Sequence, residues 1–71
     1  MDLTNVNSNV PYIIDSVECE GETKKFLLTL GCYEEESITV LSKLSSNYII
    51  GIKGARYSID SNLAKKIKVK N

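Results

Sequence analysis

Seventy-one residues, 42% hydrophobic and 25% charged, describe an ordinary globular chain. It is too short to divide into two cores, because a domain of this size buries only about 60% of its unfolded surface. The chain has no histidine, so the commonest general base and the commonest metal ligand are both missing. Formal net charge is zero, yet residues 1–36 set eight acidic side chains against Lys24 and Lys25, while residues 37–71 set seven basic ones against Asp60. In a small barrel the two halves interleave, so opposite charges are expected to meet on neighbouring strands.

In chain order, residues 1–10 carry Asn5, Asn7, Ser8 and Asn9 and lead into Pro11, a turn-rich entry without periodicity that is expected to be partly mobile. Tyr12 to Cys19 reads as the first strand, with Ile13, Val17 and Cys19 on one face and Ile14 out of phase. Glu20-Gly21 is a turn signal, and Glu22 places a carboxylate near the positive end of a helix dipole. The helix is predicted over about 22–30, with Phe26, Leu27 and Leu30 on its inner face and Gly31 as a left-handed stop.

Glu34-Glu35-Glu36 is the densest charge run, and a solvated loop is its simplest reading, because adjacent carboxylates cannot all turn to one ion. Ser37 to Lys43 alternates as a second strand, Ser45-Ser46-Asn47 is a turn, and Tyr48 to Lys53 is a third strand. Gly51 within it marks a bulge or a tight bend. Lys53-Gly54-Ala55-Arg56 reads as a hairpin into a fourth strand, Arg56 to Ile59. Asp60 and Ser61 are good N-caps for one or two helical turns, and Ile67-Lys68-Val69-Lys70 returns to strict alternation. The sum is a mainly β chain, one domain over 1–71, with the pattern of an SH3-like barrel: a helix after the first strand and a short helix before the last. Its predicted core is Val17, Ile38, Val40, Ile50, Ile52, Ile59 and Val69.

Cys19 and Cys32 lack the close spacing of a zinc site and are expected to pack as small hydrophobes in a reducing compartment. No apolar run approaches the roughly 20 residues of a membrane span, and the start lacks a signal-like stretch, so a cytoplasmic location is expected. No nucleophile motif or phosphate loop is present, and the expectation is a binding module rather than an enzyme, with no cofactor and no structural metal.

Over Tyr12 to Val69 the residues resemble the FeoA family, small partners of the bacterial ferrous-iron transporter FeoB. The likeness rests on Lys24-Lys25-Phe26-Leu27-Leu28-Thr29-Leu30-Gly31, on Ser37-Ile38-Thr39-Val40-Leu41, on Ile49-Ile50-Gly51-Ile52-Lys53-Gly54 with Tyr57-Ser58-Ile59 and Leu63-Ala64, and on Ile67-Lys68-Val69. The family's Pro-Gly pair after Leu-Gly is replaced here by Glu34-Glu35-Glu36. The resemblance implies an SH3-like barrel in ferrous iron homeostasis, with transition-metal ion binding as a family association assigned to no residue. It also implies a FeoB-like membrane transporter with a GTPase domain as partner, reached by protein contact without membrane insertion.

The partner contacts expected are Lys24, Lys25 and Leu28, on the helix side away from Phe26 and Leu27; the competing reading is that the two lysines only solvate the helix. Homo-oligomers are compatible with such a module. Two alternatives remain. One is an SH3-like regulatory domain related to the C-terminal domain of iron-dependent repressors similar to the diphtheria toxin repressor. The other is a small-barrel nucleic-acid binder, disfavoured by zero net charge and by the lack of an aromatic pair at strand spacing.

Overall fold

The computed structural model describes residues 1–71. Five strands and two helices follow one another as β1 (Pro11–Val17), α1 (Gly21–Leu30), β2 (Ser37–Lys43), β3 (Asn47–Ile52), β4 (Ala55–Asp60), α2 (Ser61–Ala64) and β5 (Ile67–Val69). All pairings are antiparallel, in the order β4-β3-β2-β1-β5. Two register shifts bend the sheet, at Asp15 in β1 and at Leu41 in β2. The irregularity expected at Gly51 therefore lies on the partner strand. The side chain of the bulged Leu41 lies over Gly51, 3.5 Å from where a Cβ would stand, an ordinary packing contact.

Six of the seven predicted core residues are buried; Val17 is half-buried. The expected β1 face holds in part: Val17 and Cys19 pack against the core after the bulge, but before it Ile14 takes the inward place expected of Ile13. Ile14, out of phase in the sequence, is fully buried, whereas Ile13 is 38% exposed and Cys19 lies beyond the strand, half-buried. The bulge resets the alternation partway along the strand, which a strict period of two cannot represent.

Residues 1–10 also depart from the reading of a loose entry. Leu3 and Val6 belong to the core. Leu3 N–H donates to Ile67 O at 3.2 Å and Val69 N–H to Met1 O at 2.8 Å, so the first residues pair with the outer side of β5. Lys43 Nζ donates to Val6 O at 2.5 Å and clamps the segment from the far end of β2. Burial of the Asp2 carboxyl works to raise its pKa, but the hydroxyl and backbone N–H of Thr4, with the charges of Lys68 and the N-terminus, outweigh it and hold the group below its ordinary value.

The helix obeys its stop signal. Gly31 has φ 105°, its N–H donates to Leu28 O at 2.9 Å, and Cys32 N–H donates to Leu27 O at 3.0 Å, which together form a Schellman motif. Leu27 and Cys32, the two residues this motif brings together, are both fully buried. The inner face is narrower than predicted: Leu27 is the anchor, Leu30 is half-buried and Phe26 is 48% exposed. At the other end of the chain, Asp60 caps α2 as expected, accepting from Leu63 N–H at 2.8 Å.

The charge halves do meet. Glu36–Lys53 at 3.4 Å, Asp2–Lys68 at 3.8 Å and Glu35–Lys70 at 2.5 Å each join an acidic residue of the first half to a lysine of the second. Exposed pairs of this kind contribute between about 0 and 1 kcal/mol each, so they guide register more than they add stability. Glu35 holds φ 71°, in the left-handed region, while its N–H donates to Ile14 O and Ile14 N–H donates to Glu36 O. The loop thus keeps a step that glycine would take without cost. Glu35→Gly is expected to raise stability by up to about 1 kcal/mol in a urea titration, even though the Lys70 contact is lost.

Candidate partner-binding groove

A concavity lies beside the helix, between α1 and the end of β1. Ser16, Val17, Glu18, Lys24, Leu28, Tyr33 and Glu34 line it. Its geometry follows from the local sequence: a short β1 ends at Val17, Gly21 with φ 65° starts the helix, and the Schellman turn at Gly31 brings the chain back so that Tyr33 stands beside Leu28. Its apolar lining is Val17 and Leu28, both half-buried, with the exposed Tyr33, and Ser16, Glu18, Lys24 and Glu34 make up the polar remainder.

Two of the three residues singled out in the sequence, Lys24 and Leu28, are brought together here. Leu28 is half-buried against the groove rather than freely exposed. Lys25 lies outside, paired with Glu22 at 3.7 Å, and both side chains are largely in water. Val17 and Tyr33 were missed as site residues. Val17 reads as a core residue and does pack against the core, half-buried, so nothing in its pattern marks a second place at the groove, whereas an aromatic directly after a helix-stopping glycine is a readable signal. Tyr33 is 47% exposed, with Lys53 Nζ 5.5 Å from its ring centroid, within the range of a cation–π contact.

The chemistry available is limited. No three cysteine, aspartate or glutamate side chains converge in a way that could hold a metal ion. Both cysteines are free thiols, and burial pushes the Cys32 thiol up to about 11, so it remains neutral and unreactive at ordinary pH. The large exposed aromatics, Phe26 and Tyr33, sit on α1 and the following loop, while Tyr12, Tyr48 and Tyr57 pack against the core. The sheet therefore offers no stacking platform for bases. No helix is long and apolar enough to cross a membrane.

A bent antiparallel sheet of five strands, with one helix inserted after the first and a short one before the last, defines a mainly β SH3-like fold with an open surface groove. The chain belongs to the FeoA domain family, which matches it over residues 1–71. No curated protein matches it. Among solved structures, iron(II) transport protein A from Clostridium thermocellum superimposes with a TM-score of 0.92 at 22% identity, covering 99% of this chain and 44% of that one. This chain thus spans less than half of that relative. A protein described as iron uptake regulatory protein (FeoA) gives a TM-score of 0.90 at 21% identity, covering 99% and 95%. Stenotrophomonas maltophilia FeoA, crystallised with zinc and described as a prokaryotic SH3 domain protein put forward as a ferrous iron transport activating factor, gives 0.87 at 17% identity, covering 99% and 89%.

Proposed function

We propose that this chain is a non-catalytic accessory of ferrous iron transport that docks through the α1–β1 groove onto the cytoplasmic part of a FeoB-type transporter. Membership of the FeoA family supports the biological setting. The observation that carries the docking site is the convergence of Leu28, Val17 and Tyr33 with Glu18, Glu34 and Lys24 around one concavity. Such a surface accepts an apolar side chain, and the two glutamates outnumber Lys24, so a basic group beside that side chain would complement it. Lys24 then orients the contact, while Lys25, held away by Glu22, contributes little.

The test is titration of the wild type and three variants against the transporter's cytoplasmic region, at low salt and with GTP and GDP analogues. Leu28→Gln and Lys24→Glu should each weaken association about tenfold or more, and Lys25→Glu should leave it within about twofold. Melting curves should move little for the lysine variants, because exposed substitutions usually change folding by less than about 0.5 kcal/mol. Failure of the wild type to bind in every nucleotide state sinks the functional reading; equal effects of Lys24→Glu and Lys25→Glu move the contact off the groove.

A further inference from the structure

We propose that the free edge of β4 pairs with β4 of a second copy of this chain, as a two-fold antiparallel dimer centred on Ser58. The two ends of the sheet differ. The outer side of β5 is covered by residues 1–3, through the Asp2–Lys68 bridge and the bonds of Leu3 and Val69. On the other side β4 pairs only with β3, and no backbone bond reaches Ala55 to Ile59 from elsewhere in the chain.

The phase of this edge can be fixed. Ile52 pairs with Ala55 across a two-residue turn, Lys53-Gly54, whose φ values of 50° and 80° are those of a type I′ hairpin. In such a hairpin the flanking pair is hydrogen-bonded, and bonded pairs recur at every second residue. Ser61 N–H donating to Ser46 O at 2.9 Å lies in the same phase. Tyr57 and Ile59 therefore bond to β3, and the N–H and C=O groups of Arg56, Ser58 and Asp60 point outward to the free edge. These three are also the exposed side chains of the strand.

The outward residues read Arg-Ser-Asp, and this sequence complements itself when reversed. Antiparallel pairing about Ser58 sets Arg56 opposite Asp60 of the second copy at both ends, with Ser58 facing Ser58. The register also makes all three facing pairs hydrogen-bonded ones, for a total of about six backbone bonds. Registers centred on Arg56 or Asp60 instead place like charges face to face. Neither Arg56 nor Asp60 has an ion-pair partner within the chain, and Asp60 uses one carboxylate oxygen to cap α2, leaving the other for the arginine.

Sedimentation equilibrium up to about 1 mM chain, with amide hydrogen exchange at low and high concentration, tests the proposal. The wild type should dimerise with rising concentration. Protection of the Arg56, Ser58 and Asp60 amides should rise with it, while those of Tyr57 and Ile59 are protected at all concentrations. Arg56→Glu should weaken the dimer about tenfold or more by placing like charges opposite at both ends. Ser58→Pro should abolish it, because the ring removes an outward N–H that β3 does not use.

A wild type that stays monomeric throughout overturns the proposal, as does a dimer indifferent to Arg56→Glu. Should Ser58→Pro fail to fold, the alternating exchange pattern and Arg56→Glu still decide.

Discussion

Leu27→Ala should be the most damaging truncation on α1, lowering unfolding free energy by about 2–5 kcal/mol. Leu27 is fully buried and is the only buried residue of the helix. Its side chain fixes the helix to the core cluster that also holds Cys32, whose N–H donates to the Leu27 carbonyl in the Schellman turn. A chain of this length has a total stability of roughly 4–11 kcal/mol, so the substitution removes a large fraction of it. Two neighbours act as internal comparisons under urea titration. Leu30→Ala, half-buried, should cost clearly less, and Phe26→Ala should stay within about 0.5 kcal/mol unless a partner is present. Equal losses at Leu27 and Phe26 would mean that the helix sits rotated on the barrel.

Gly31→Ala is expected to cost about 2–4 kcal/mol, which for a domain of this size lowers Tm by roughly 8–30 °C. Two effects add at this position. The backbone has φ 105°, where an L side chain is strained, and a Cβ would stand 3.0 Å from Ile52 Cγ2 in the core. Gly54→Ala separates them. Gly54 has φ 80° but nothing within 4 Å of its would-be Cβ, so it reports the backbone effect alone and should cost about 1 kcal/mol. If the two substitutions prove equal, the close approach to Ile52 contributes nothing.

Much of this architecture was legible because local signals agreed with the global fold. The apolar alternation of β2, β3 and β4, the Lys53-Gly54 turn, the Gly31 stop and the Asp60 cap each rest on short-range chemistry that tertiary contacts did not overrule. What failed depended on distant partners. Leu3 and Val6 carry no periodicity, and only pairing with β5 and the clamp by Lys43 place them inside. In β1 the inward phase changes at a bulge set by pairing with β5, so Ile14 rather than Ile13 is buried before it while Val17 packs inward after it. On α1 the expected three-residue face narrowed to Leu27, fully buried, and Leu30, packed partly against the core, while Phe26 stayed 48% exposed.

The candidate groove was half legible for the same reason. Lys24 and Leu28 follow from helical spacing alone, but Val17 and Tyr33 join them only because the chain turns back at Gly31.

The pairing of residues 1–3 with Ile67–Val69 sets an order on how the molecule can come into being. Residues 1–3 are synthesised before Ile67–Val69 and must wait for them before Leu3 can leave water and before β1 gains its second neighbour. A nascent chain that stops before Ile67 would lack the closing strand, expose β1 along one side, and leave both Leu3 and Ile14 without the layer that covers them. Long-range closure of this kind makes assembly slow and all-or-none. Half-made copies would be seen by proteases and chaperones as unfolded polypeptide, and quality control would fall on the arrival of Ile67–Val69.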